Sequence, residues 1–213
     1  MNKKLILIGP PGAGKGTIAD LLIEKFNFTH ISTGNSLRIV AEEQSELGIK
    51  VKTIMNEGGL LPDEIVDEII KEALSKEDAK DSFILDGYPR HVGQAEKLID
   101  WVKIDEVVVV DMKDEDIIER LNGRRTCPKC GASYHIVNIP PKVEGICDFC
   151  GTKLIKRADE DKIKHRLDVY HKETEPVIEF LKNKGIRIQK VPGDFDVKTQ
   201  KEWMGNLIVY NQE

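Results

Sequence analysis

Residues 9–17 read Gly-Pro-Pro-Gly-Ala-Gly-Lys-Gly-Thr and follow directly on the apolar run Leu5-Ile6-Leu7-Ile8. A buried strand therefore runs into a glycine-rich loop that ends in a lysine. The spacing from Gly9 through four residues to Gly14 and Lys15 is that of a phosphate-binding loop. Glycines let a polyphosphate lie against bare backbone. The loop N–H groups and the N-terminus of the next helix turn positive dipoles toward it. Lys15 adds a mobile point charge for the outer phosphates, and Gly12, Ala13, Gly14, Gly16 and Thr17 complete the cradle. The loop departs from the general pattern in one respect: Gly16 follows the lysine, and the hydroxyl comes one residue later, at Thr17. The alternative is a strand-turn-helix with incidental glycines. Strand context and spacing together speak against it.

A second constellation lies further along. Cys127-Pro-Lys-Cys130 and Cys147-Asp-Phe-Cys150 give the spacing CxxC-x16-CxxC, with Gly131 and Gly151 directly after each pair. That is the spacing of a four-thiolate structural zinc ribbon. Two disulfides, or unrelated core cysteines, are the alternatives. A segment of roughly 30 residues poor in apolar side chains cannot fold on packing alone, and a cytosolic setting disfavours disulfides. Four thiolates close the coordination shell, so the metal is expected to be structural, with no water to activate. His135 lies nearby and is not needed as a ligand.

These groups need a scaffold. The chain has 213 residues, 40% hydrophobic and 32% charged, enough for one α/β domain with a sizeable core and small insertions. The formal charge of −5 argues against a general nucleic-acid or membrane-surface binder. No run of about 18 apolar residues exists, so no transmembrane helix is expected. The first strand begins within five residues of Met1. That leaves no room for a signal or transit peptide, and a cytoplasmic protein is expected.

Hydrophobic periodicity predicts the elements. A helix follows the loop from about Lys15 to Phe26, and Phe28 to Ile31 forms a short strand. Ser32-Thr33-Gly34 caps a helix through Leu37 and Val40, which Glu46-Leu47-Gly48 breaks. A helix over Ile49 to Asn56 ends at Gly58-Gly59, and Pro62-Asp63 opens the next. Ser82 to Asp86 is a buried strand, Gln94 to Val102 a helix, and Glu106 to Asp111 a strand with four consecutive valines. Glu115 to Leu121 is helical. Helix returns from Glu160 to Lys184, Arg187 to Val191 is a last strand, and Val197 to Tyr210 a last helix. Strands alternating with helices imply a doubly wound parallel sheet. Residues 32–61 and 123–160 are excursions from it.

Six motifs now stand in order: GPPGAGKGT at 9–17, STGNSLR at 32–38, LDGYPR at 85–90, GRRTCPKCGASYH at 123–135, PPKVEGICDFCG at 140–151 and RADED at 157–161. With them the chain resembles adenylate kinase of the long-lid, zinc-containing type, over nearly its whole length. The GKGT variant of the loop is itself similar to that of the nucleoside monophosphate kinases. The resemblance implies a core made of residues 1–31, 62–122 and 161–213, an AMP-binding insertion at 32–61 and a zinc-bearing lid at 123–160.

It also implies roles. Phosphoryl transfer needs in-line placement and charge neutralisation more than a covalent catalyst. The family's arginines fall on Arg38, Arg90, Arg124, Arg157 and Arg166. Arg38 and Arg90 would hold the AMP phosphate, Arg124 the donor phosphates, and Arg157 and Arg166 would bridge toward the transferred group. Arginine suits this because it stays charged and grips phosphate bidentately. Asp86 matches the carboxylate that orients water around Mg²⁺, and Asp159 would contact that shell or hold the lid. AMP would meet Thr33, the backbone of Gly59, Leu60 and Leu61, then Gly87 and Gln94. The ATP base would stack on Arg120, with Ser133 and Tyr134 close to the donor. Backbone near Asp194 to Val197, including Phe195 and Val197, would meet the base edge.

Two departures stand out. Asn35 occupies the position of the usual acid of the STGD motif. The stretch from Arg157 to Arg166 is about two residues shorter than the family pattern.

The expected activity is ATP + AMP = 2 ADP, reversible and Mg²⁺-dependent. One structural Zn²⁺ per chain and a monomer as default go with it, with neither nucleic acid nor membrane as partner. A monophosphate kinase of other base specificity is the near rival. A zinc-ribbon nucleic-acid binder with a regulatory phosphate loop is the distant one, disfavoured by the negative charge and the lack of a basic-aromatic cluster.

Overall fold

Along β1 (Lys4–Ile8), alternate side chains enter different cores. Leu5 and Leu7 join Ile18, Ala19 and Leu22, while Ile6 and Ile8 join Leu37, Ile70, Leu98 and Leu181. The same alternation divides Val108 and Val110 from Val107 and Val109. A strand buried on both faces must be apolar throughout, which is why these runs carry no polar alternation. The computed structural model describes residues 3–156 and 162–193.

The sheet is parallel, in the order β2-β3-β1-β4-β7. Its strands are β1, β2 (Thr29–Ser32), β3 (Phe83–Asp86), β4 (Glu106–Asp111) and β7 (Arg187–Pro192). α1 (Lys15–Phe26) covers one face. The other is covered by α2 (Thr33–Ala41), α3 (Glu46–Glu57), α4 (Asp63–Ser75), α5 (Val92–Trp101) and α8 (Glu175–Asn183). Two further helices, α6 (Asp114–Gly123) and α7 (Ile163–Val169), pack together through Ile117, Leu121 and Leu167. β5 (Arg124–Thr126) and β6 (Ser133–His135) form a separate antiparallel ribbon. Among the described residues no helix is long and apolar enough to cross a membrane.

This is the expected doubly wound parallel sheet, with three differences in detail. The chain breaks before Glu46, and α3 begins there, because Ser45 Oγ accepts the Gly48 N–H at 3.0 Å and caps the helix. Gly48 is a close approach and not a breaker: a Cβ there would lie 2.3 Å from the Glu43 carbonyl oxygen. Ser32 occupies the cap position of α2 without a side-chain cap bond, and Thr33 is the first helical residue. The third difference is a π-helical turn, Tyr170–Thr174, between α7 and α8. The expected start of that helix at Glu160 and the expected last helix, Val197 to Tyr210, lie outside the described residues.

The sheet geometry places Gly9 against its neighbour strand. A Cβ on Gly9 would lie 2.5 Å from the Val110 carbonyl oxygen. Gly9→Ala should therefore lower stability by about 1–3 kcal/mol, the usual cost of overpacking. Denaturant unfolding checks this, and a curve superimposable on that of the parent chain contradicts it.

Candidate functional site

β1 and β3 run side by side, with Leu7 opposite Asp86. Their carboxyl ends, together with the loop that follows β1, form the crevice where ligands bind in open α/β sheets. Gly12 at φ 90° and Gly14 at φ 99° bend that loop into α1. A Cβ on Gly12 would meet Leu121 of α6 at 2.9 Å, so the loop is seated on that helix. A Cβ on Gly16 would meet nothing within 4 Å, leaving room over the cradle. Lys15 Nζ folds back and donates to the carbonyls of Gly9, at 2.7 Å, and Pro10, at 2.9 Å.

The electrostatics around this ammonium are severe. Desolvation lowers its pKa to about 8, and Asp86 opposes the shift; Arg90, Arg166 and Arg124 add to it. Burial alone would raise the Asp86 carboxyl, but neighbouring His30, Lys15 and Arg90 outweigh that and hold it below the ordinary range. His30 Nε2 stands 3.7 Å from Asp86 Oδ2. Lys15, Gly87, Arg90, Arg166, Gly58 and Leu60 line one open cleft. The structure thus brings Lys15, Asp86, Arg90, Arg124 and Arg166 to one place. Arg166 reaches it despite the shortened stretch before it: its Cγ lies 2.8 Å from where a Gly58 Cβ would be.

On the far side of the cleft, Thr33 is 1% exposed and its Oγ1 has no hydrogen-bond partner among the described residues. Its Cβ and Arg90 Nη2 both lie within 3.7 Å of a Cβ built on Gly87, so the three residues converge. Arg38 donates to Asn35 Oδ1, so the amide at the usual acid position still serves as an acceptor. Asn35 also lies 3.5 Å from a Cβ built on Gly131, bringing the first cysteine knuckle against α2. Gly59 N–H bonds to Ile54 O, and the Leu61 side chain joins the core. Gln94 is buried, with its amide bonded to the Arg90 N–H and to Asp63.

Sequence reasoning missed several residues here. His30, Asp63, His91 and Lys97 carry no motif spacing. Tyr170 and Thr174 line the cleft from the π-helical turn, and Thr174 Oγ1 donates to the Arg90 carbonyl at 2.8 Å. Such turns are common at functional sites, and only an unbroken helical pattern marked the segment.

The four cysteines meet as their spacing requires. All four ligand atoms lie within 4.8 Å of one another. Sγ separations are 3.4 Å for Cys127–Cys150, 3.5 Å for Cys130–Cys147 and 3.7 Å for Cys130–Cys150. Tetrahedral coordination with metal–sulfur bonds of about 2.3 Å sets sulfurs about 3.8 Å apart, whereas a disulfide needs about 2.05 Å. The cluster therefore fits one metal ion and excludes disulfides between these pairs. Both knuckles repeat one pattern, Gly131 N–H to Cys127 O at 3.0 Å and Gly151 N–H to Cys147 O at 2.9 Å.

Ser133 and Tyr134, expected close to the donor, lie on β6. The Tyr134 side chain belongs to the cysteine cluster, its buried hydroxyl 3.5 Å from Cys147 Sγ and accepting the Asp148 N–H. Ser133 pairs with Thr126 and is exposed. Arg120 donates to Gly193 O at 2.7 Å, with Ala13 O at 3.4 Å, so its head is fastened beside the phosphate loop. Arg157, Asp159, Phe195 and Val197 lie outside the described residues.

A glycine loop at the carboxyl end of a parallel sheet, with its lysine crowded by arginines, defines a P-loop protein of the phosphoryl-transferring class. Residues 7–186 match the family model described as adenylate kinase. The chain is 49% identical over 206 residues to the adenylate kinase of Caldicellulosiruptor saccharolyticus, covering 93% of this chain and 96% of that one. It is 46% identical over 212 residues to that of Clostridium acetobutylicum, covering 96% and 98%. The chain belongs to the adenylate kinase family.

The crowding of Lys15 has a measurable consequence. Free of ligand, the folded chain holds the Lys15 proton only to about pH 8, whereas lysine ordinarily holds it to 10.5. Between those values the unfolded state binds more protons, so this group makes stability rise with pH there. Lys15→Met should lack the rise. Unfolding midpoints of the nucleotide-free proteins, from neutral pH upward, check this, and parallel profiles contradict it.

Proposed function

We propose that the chain catalyses ATP + AMP = 2 ADP, reversibly and with Mg²⁺, by direct in-line transfer. Lys15, Arg90 and Arg166 line one cleft, and Asp86 and Arg124 act on the Lys15 charge there; this gathering carries the reading. Two nucleotides bring many negative charges together, and only a preorganised set of cations can hold them at reacting distance. Mg²⁺, arriving with the donor, would neutralise its phosphate oxygens, and Asp86 is the carboxylate suited to its water shell.

In this reading Lys15 leaves the Gly9 and Pro10 carbonyls and takes the donor phosphates, with the N–H groups of residues 12–17 around them. Arg124 shares that load. Arg90 and Arg38 hold the AMP phosphate, and Arg166, with Arg157, faces the group in transit. Thr33, the backbone of residues 59–61, Gly87 and Gln94 receive AMP, and Arg120 offers a guanidinium face to the ATP base. Residues 32–61 and 123–160 act as the acceptor insertion and lid on a core of 1–31, 62–122 and 161–213. The contact of Gly131 with Asn35 supports their closing on each other. Closure keeps water from the donor and so prevents hydrolysis.

Zinc is the metal best suited to the cysteine cluster, where it would cross-link the two knuckles structurally. A reducing cytoplasmic setting, a monomer and a role in nucleotide homeostasis belong to the same proposal.

Lys15→Met should lower ADP formation from Mg-ATP and AMP by roughly 10²-fold or more with the fold retained. A near-normal rate in the folded variant contradicts the assignment. Metal analysis should find one Zn²⁺ per chain. Cys127→Ser should lower the melting temperature by about 5 °C or more and reduce turnover far less than Lys15→Met does. Freshly purified protein without zinc contradicts this.

A further inference from the structure

The N-termini of α4 and α5 meet behind the loop that carries Arg90, and hydrogen bonds fasten them together. Gln94 is 3% exposed and its amide is bonded at both ends. Its Oε1 accepts the Arg90 backbone N–H at 2.8 Å, and its Nε2 donates to Asp63 Oδ1 at 2.8 Å. His91 Nδ1 accepts the Gln94 backbone N–H at 3.4 Å, which leaves its Nε2 to donate to Asp63 Oδ1 at 2.8 Å. Asp63 Oδ2 takes Lys97 at 3.2 Å. Burial alone would raise the Asp63 carboxyl; the bonds from His91, Gln94 and Lys97 outweigh it and keep the group below its ordinary range.

A side-chain amide is nearly symmetric in shape and opposite in chemistry at its two ends. Turning it over exchanges a donor for an acceptor. Here the turn would set Nε2 against the Arg90 N–H and Oε1 against a carboxylate, losing both bonds. The two internal bonds use one lone pair and one N–H, leaving one of each in a fixed order. A 6-amino purine presents a donor at position 6 beside an acceptor at position 1. A 6-oxo purine presents the reverse, and would suit the amide only when turned over.

We propose that Asp63 is a positioning residue that locks the Gln94 amide in one orientation, and so sets the choice of a 6-amino over a 6-oxo purine monophosphate. The proposal rests on the acceptor-site reading given above. Asp67 supplies a control: it binds Lys97 at 2.7 Å and Tyr88 at 2.8 Å, joining the same two helices without touching the Gln94 side chain.

The test compares kcat/KM for AMP and IMP at saturating Mg-ATP. Asp63→Ala should reduce the AMP-to-IMP ratio about tenfold, the worth of a hydrogen bond to a charged acceptor, with KM for ATP unchanged. Asp67→Ala should leave the ratio within about twofold, below what one lost bond costs. Asp63→Asn, which keeps an acceptor oxygen, should restore most of it. A parent chain that takes AMP and IMP alike overturns the acceptor-site reading and this inference with it. A discriminating parent with an equally discriminating Asp63→Ala overturns this inference alone, as does an equal fall in Asp67→Ala. Should Asp63→Ala not fold, amide exchange in the ¹⁵N-labelled parent decides. One slowly exchanging Gln94 Nε2 proton supports the lock, and two fast ones overturn it.

Discussion

Lys15 shares its cleft with Arg90 and Arg166; Arg124 adds its charge from nearby, and Asp86 is the carboxylate set against them. Cations this close repel one another strongly wherever water is excluded. The loop carbonyls of Gly9 and Pro10 hold the ammonium meanwhile. The chain is thus built around an electrostatic deficit that a polyphosphate relieves. Function sets this arrangement against stability, as sites preorganised for charge commonly do.

The fold imposes the crowding. Strand β1 ends between β3 and β4, so the loop after it meets Asp86 on one side and lies against Val110 on the other. α6 supports the loop from beneath through Ile117 and Leu121. The arginines come from three separate places: Arg90 after β3, Arg124 at the start of β5 and Arg166 on α7. Arg90 and Arg166 are aimed by local packing. Gly58, at φ 78°, admits the Arg166 stem, and Thr174 holds the carbonyl of Arg90. The Arg90 head also donates to Gly87 O at 3.0 Å.

What could be read from the sequence follows from what is local. The phosphate loop, the paired cysteines and the buried strands are contiguous patterns, and each is found where its residues predict it. Asp63 shows only as the start of a helix, because the partners that give it meaning, His91 and Gln94, lie 28 and 31 residues away. The Tyr134 hydroxyl meets Cys147, a contact decided by packing that the motif around it does not show. Gly48 reads as a breaker by propensity; the close approach of the Glu43 carbonyl gives it a different purpose. The π-helical turn is not read from the sequence, where the segment passes as one continuous helix.

In the proposed reaction, nucleotide phosphates relieve the charge crowding at Lys15. Observing the Lys15 side chain by NMR through a pH titration, with selective isotope labelling, tests it directly. The free protein should show an ammonium titrating near 8, and saturation with Mg-ATP should move that titration upward toward or beyond the ordinary lysine value. A titration at the ordinary value in the free protein, or one that does not move when nucleotide binds, contradicts such relief.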